Sequence, residues 1–396
     1  MLNFQYYMPT RLLFGPDKLD ELSETPHLPR GNKAMIVIGE SGIMLKLGYL
    51  ARVQGMLAKQ GVASLVYDKI KPNPESEQVE EAAAIAREND VNFIVGLGGG
   101  STIDSAKAIA LLAANSGQYW DYMIEGTGKM KTPEHPALPI VAIPTTAGTG
   151  TEADPWTVIS RTGSQEKIGW GNDSTFPTLS IVDPKLMLSV PKSQTAYTGF
   201  DAFCHAAEAY LSIRRQPASD ALSLEAVHLI ANTLPEAVAD GSNLEARTVM
   251  AWASTAAGLC ETYSSCISQH SLEHALSAFH PELPHGAGLA MLSRSYFAFL
   301  ASRGEERLGD LALTMGTSLE EDIPADQFGP AFLEALDRLL EGTGLDSLRM
   351  SDYGITPDEF PAMADCALGT MGKLFNSTPV EMTREDIIAI YEAAYE

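Results

Sequence analysis

Four of the eight histidines of this 396-residue chain fall in one short run, His270-Ser-Leu-Glu273-His274-Ala-Leu-Ser-Ala-Phe-His280-Pro-Glu-Leu-Pro284-His285. Histidine is the commonest metal ligand and titrates near neutral pH. Ser271 to Phe279 is a helix-forming stretch that Pro281 and Pro284 break. On that helix His270 and His274 stand four residues apart and share a face. His285 follows in a Pro-Gly-flanked turn that can fold back towards it. A second group, Asp201-Ala-Phe-Cys204-His205-Ala-Ala-Glu208, puts Asp201 and His205 at the same spacing. Asp201, His205, His270 and His285 together make one carboxylate and three imidazoles, a set that suits Fe(II) or Zn(II). Taken alone, Asp201 reads better as an N-terminal helix charge. His270-Ser-Leu-Glu273-His274 also matches H-x-x-E-H, the inverzincin protease pattern, in which both histidines bind zinc and the glutamate activates water. Cys204 reads as core, and Glu208 receives no role.

Two further loops point to a different ligand. Gly98-Gly99-Gly100-Ser101 stands between an apolar run and a helical pattern, and Thr145-Thr146-Ala-Gly-Thr149-Gly-Thr151 follows another apolar run. Glycine lets a backbone approach a phosphate closely, and a helix N-terminus offers free N–H groups and a positive dipole. A tight strand–helix turn would also use glycine. Two such loops suit a dinucleotide better. The first buried strand ends at Gly39, where an acidic residue would bond an adenosine ribose. Gly39 leaves room for a 2′-phosphate, Glu40 opposes one, and NAD and NADP both stay open.

These residues need elements to hold them. Apolar runs at Lys33–Gly39, 62–67, 91–97 and 138–143 alternate with helical patterns, and Ile181-Val-Asp183 closes the series. The alternation predicts a parallel sheet with helices on both faces and its glycine turns at the carboxyl edge. Residues 1–16 have strand character. After Pro191 helical patterns dominate, at 192–213, 217–233, 243–263, 266–279, 287–302, 304–315, 328–341, 357–372 and 383–395. The expected division is an α/β dinucleotide-binding domain over 1–190 and an all-helical metal-binding domain over 191–396.

Composition narrows the classes. The chain is 45% hydrophobic and 20% charged, as an ordinary globular protein is. Its net charge of −24 repels phosphate backbones, so no nucleic-acid partner is expected. No run is long enough for a membrane helix. The four cysteines form no CxxC pair, which with the size suggests a reducing cytoplasm.

Together GGGSTIDSAKA at 98–108, IPTTAGTGTE at 143–152, DAFCHAAEAY at 201–210 and HSLEHALSAFHPELPHG at 270–286 resemble the iron-containing (group III) alcohol dehydrogenase family over nearly the whole chain. The resemblance implies a Rossmann-like parallel-sheet domain plus an all-α domain, the dehydroquinate synthase-like architecture, with the site in the cleft between them. It implies Asp201, His205, His270 and His285 as ligands of Fe2+, or of Zn2+ as in some relatives. It gives His274 a place near the nicotinamide and the reacting oxygen. It gives Gly99, Gly100, Ser101 and Asp104 to the pyrophosphate loop, Thr145, Thr146 and Thr149 to the pyrophosphate and nicotinamide side, and Lys167 to the cofactor ribose. His280-Pro-Glu-Leu makes the segment between His274 and His285 longer than in some members. The implied activity is NAD(P)-linked interconversion of small alcohols and aldehydes by a homodimer or higher homo-oligomer. A dehydroquinate-synthase-like lyase is the alternative, disfavoured because no Lys/Arg cluster flanks His270–His285.

Overall fold

The computed structural model describes residues 3–318 and 324–395. Met1 and Leu2 of the N-terminal strand-like stretch lie outside these. The chain divides into two compact units.

The first unit, Tyr7–Thr146 with Gly150–Leu188, is built on a six-stranded sheet. Its strands are β1 (Arg11–Phe14), β2 (Lys33–Gly39), β3 (Ala63–Ile70), β4 (Phe93–Gly98), β5 (Ile140–Pro144) and, after a hairpin of β6 (Thr157–Arg161) and β7 (Glu166–Trp170), β8 (Leu179–Val182). All pairings in the large sheet are parallel, in the order β1-β8-β5-β4-β2-β3. The central strands are apolar end to end and buried on both faces, as a covered parallel sheet requires. The order reverses between β2 and β4, and the carboxyl ends at such a reversal are where open α/β sheets bind ligands. Helices α1 (Ile43–Lys46), α2 (Tyr49–Lys59), α3 (Ser76–Glu88) and α4 (Gly100–Ala114) connect the strands. The β6–β7 hairpin is absent from the sequence reading. Its strands are short, and buried Glu166 and Lys167 interrupt any apolar alternation.

The second unit is helical and runs from Ser189, with residues 3–6 and Ala147–Thr149 joining it. The unit boundary differs from the expected domain 1–190 by these two short segments and by residues 189–190. Tyr6 stacks on Tyr263 at 4.4 Å, and Gly148 sits so close to Thr198 that a Cβ would stand 2.8 Å from the threonine Cβ. The first helices are α5 (Lys192–Leu211), α6 (Pro217–Ala239), α7 (Leu244–Ser264), α8 (Ser268–Phe279) and α9 (His285–Ser302). Further helices, among them Phe328–Thr343 and Arg384–Tyr395, close the core around Phe297, Phe332 and Tyr391. The expected helix at 217–233 continues through Pro235 to Ala239. Buried Leu234, Ala237 and Val238 anchor its last turns, and packing outweighs the lost backbone donor.

Two local features generate predictions. Lys107 is fully buried, and its ammonium faces Thr151 Oγ1, both the carbonyl and Oδ1 of Asp154, and the Trp156 carbonyl at 2.6–2.9 Å. Lys107→Ala strands a buried carboxylate and should cost about 3–5 kcal/mol, read from urea denaturation. Ser265 joins α7 to α8 at φ 67°, ψ 150°, a region that glycine alone enters freely. Ser265→Gly should raise the thermal midpoint, relieving about 1–3 kcal/mol of strain.

Candidate metal centre and nucleotide loops

Asp201, His205 and Glu208 lie at positions i, i+4 and i+7 of α5 and present one buried face. His270 and His274 project from α8, and His285 is the first residue of α9. Gly286 makes this start possible. A Cβ there would stand 2.0 Å from the Tyr197 carbonyl oxygen, so only glycine brings α9 onto α5.

Asp201, His270 and His285 bring donor atoms within 4.8 Å of one another, and His205 approaches the same carboxylate. Asp201 Oδ1 lies 3.7 Å from His205 Nδ1, 3.6 Å from His270 Nε2 and 3.4 Å from His285 Nε2. Bonds of ~2.1 Å to one tetrahedral ion put donor atoms roughly 3.4 Å apart. Asp201 Oδ1, His205 Nδ1 and His270 Nε2 are buried with no hydrogen-bond partner. A buried polar atom without a partner is costly, and a cation beside Asp201 Oδ1 would offset that cost. Burial works against the Asp201 charge, but the imidazoles of His205, His285 and His270 outweigh it and hold the carboxyl at about 2. Burial brings His205 down to about 4 against the pull of Asp201. His270 is pushed the other way: burial works against its charge, but Cys266 and Glu208 beside it outweigh burial and raise it well up. Metal binding needs a neutral imidazole, so an ion must displace that proton. His274 is buried, its ring 5.4 Å from that of His285 and 6.4 Å from that of His270.

Three carboxylates stand behind the histidines, and the sequence reading gave none of them this place. Glu208 Oε1 meets His270 Nδ1 at 2.5 Å, Glu261 Oε2 meets His205 Nε2 at 3.1 Å, and Glu273 Oε2 meets His285 Nδ1. The i+7 spacing from Asp201 was a usable signal for Glu208. Nothing local marks Glu261. Glu273 stood out only through H-x-x-E-H, and the structure removes that chemistry: Glu273 is fully buried, with one oxygen on His285 and the other accepting from Ser277. His280 bonds Glu359 at 3.1 Å.

The nucleotide residues lie mostly in the α/β unit. Gly98 and Pro144 are partners in register on adjacent strands, and the Thr145 N–H donates to the Gly98 carbonyl at 2.9 Å. Both loops therefore leave the same sheet edge, where β2 also ends at Gly39. Gly99 caps α4 without a side chain, and a Cβ on it would stand 3.1 Å from Thr146 Oγ1. Ser101 donates to the Pro72 carbonyl. Asp104 follows one turn into α4. Its oxygens accept from the Thr151 hydroxyl at 2.6 Å and the Val158 N–H at 2.9 Å, so it supports the second loop. Lys167 is buried on β7, and Thr149 belongs to the segment that joins the helical unit.

Residues 9–184 match the model described as iron-containing alcohol dehydrogenase, and 195–395 match its C-terminal family. The chain is 35% identical over 393 residues to alcohol dehydrogenase 4 of Saccharomyces cerevisiae, covering 99% of this chain and 98% of the relative. It is 30% identical over 401 residues to a probable NADH-dependent butanol dehydrogenase 2 of Bacillus subtilis, covering 100% of both. An archaeal halo-thermophilic alcohol dehydrogenase from a Red Sea brine pool superposes with a TM-score of 0.94 at 32% identity, over 100% of this chain and 99% of that one. With both halves matched in order and relatives aligned end to end, the chain belongs to the iron-containing alcohol dehydrogenase family and is an alcohol oxidoreductase.

Proposed function

We propose that Asp201, His205, His270 and His285 hold one divalent ion, Fe2+ first and Zn2+ second, in an NAD(H)-linked enzyme that interconverts small alcohols and aldehydes. The observation that carries the metal reading is the set of three buried, unpartnered donor atoms around Asp201. When bound, the ion supplies Lewis acidity to the substrate oxygen, and the nicotinamide supplies the hydride acceptor or donor.

His274 moves the proton between substrate and solvent. One turn along α8 from His270, it stands beside His285, and imidazole is a common proton carrier near neutral pH. Gly99, Gly100 and Ser101, at the N-terminus of α4, receive the pyrophosphate through backbone N–H groups. Thr145, Thr146 and Thr149 serve the same part of the cofactor, and Lys167 the ribose. Glu40, beside Gly39, disfavours a 2′-phosphate, which with the NADH dependence of the Bacillus subtilis relative supports NAD over NADP.

Four free cysteines support a cytoplasmic location, and Phe4 and Tyr6, each about half exposed, support a homo-oligomer. Among the described residues no helix is long and apolar enough to cross a membrane.

Three measurements test this reading. Protein loaded with iron or zinc should oxidise NADH faster than NADPH at 340 nm with a panel of short aldehydes; no turnover with either would sink the reading. Chelation should lower the thermal midpoint and re-added metal restore it, because binding at 1,000 Kd contributes about 4.1 kcal/mol. Asp201→Asn should show no such shift. His274→Ala should keep its metal yet lose roughly 10²–10⁴-fold in kcat.

A further inference from the structure

The geometry points to Glu208, Glu261 and Glu273 as positioning residues that preset His270, His205 and His285 for the metal. The inference rests on the metal reading above and concerns what lies behind the ligands. Each imidazole has two nitrogens. One faces Asp201 Oδ1, and the other faces a carboxylate. An ionised carboxylate only accepts, so the outer nitrogen must carry the proton and the inner lone pair is left for a cation.

The carboxylates are themselves pinned. Glu208 also accepts from the Ile267 N–H at 2.8 Å, Glu273 from the Ser277 hydroxyl, and Glu261 from the Cys266 thiol at 3.6 Å. Their side chains are 0%, 0% and 13% exposed. Gly288 makes room for Glu273: a Cβ there would stand 2.8 Å from its Cγ. The braces cross between helices. Glu208 on α5 holds His270 of α8, Glu273 on α8 holds His285 of α9, and Glu261 on α7 holds His205 of α5. Burying three carboxylates in a helical core costs several kcal/mol each unless they are paired, and apolar side chains of similar volume would serve stability as well. The arrangement instead fixes tautomer, ring orientation and basicity at all three histidines.

The test uses full-length Glu208→Gln, Glu261→Gln and Glu273→Gln, which keep volume but remove the charge that fixes the proton. Zn2+ affinity is read by competition with a chromophoric chelator. The visible bands of the Co2+-loaded protein report ligand geometry, and the metal-free thermal midpoint is measured alongside. Expected is a 10–100-fold loss of Zn2+ affinity with altered Co2+ bands and little change in the metal-free midpoint. The matching alanine variants should lose more. Should one variant fail to fold, the other two carry the test. The proposal is overturned if wild type binds Zn2+ tightly and the Gln variants bind within twofold of it. It is also overturned if only the metal-free midpoint falls, the mark of a merely structural role. If wild type binds no better than Asp201→Asn, the metal reading falls and this proposal with it.

Discussion

The helical unit is arranged around one buried carboxylate. Asp201 Oδ1 has no hydrogen-bond partner, yet three imidazole nitrogens approach it within 3.4–3.7 Å. An ionised group in such a place is tolerable only beside a partner of opposite charge, which a bound cation or a protonated imidazole supplies. Bringing them there requires α8 and α9 to lie against α5 at distances that side chains would forbid. Gly286 and Gly288 make that approach possible. The constraint reaches outward, because each imidazole needs a carboxylate behind it and each carboxylate needs a second donor.

The α/β unit solves a different problem with the same economy of polar groups. Its parallel strands release their loops at one edge, and the loop after β5 must leave the sheet and still be held. Lys107 and Asp104 hold it from within α4. The same short stretch of helix thus begins with glycines free of side chains and continues with charges buried for support. A motif that reads as one binding signature is physically two things, a cradle and a strut.

Much of the fold was legible beforehand because its elements are extreme of their kind. Strands such as Phe93–Gly98 are apolar throughout, and helices such as Phe328–Thr343 carry a regular apolar stripe. What escaped were elements that depend on context. The β6–β7 hairpin is stabilised by partners elsewhere in its unit, and α6 runs through Pro235 because its far turns are buried. The rearrangement at residues 147–149 follows from Gly148 meeting Thr198, which no local pattern announces.

The candidate site divides along the same line. Spacing alone determined that Asp201 and His205 share a helix face, that His270 and His274 share another, and that glycine loops follow two strands, because helix and strand periods are local properties. Only the tertiary structure decided that His285 comes round to Asp201, that Glu208 and Glu273 meet His270 and His285 across 62 and 12 residues, and that Asp104 turns inward. Those pairings are set by how helices cross and which donors the fold leaves unsatisfied, and sequence separation carries no record of either.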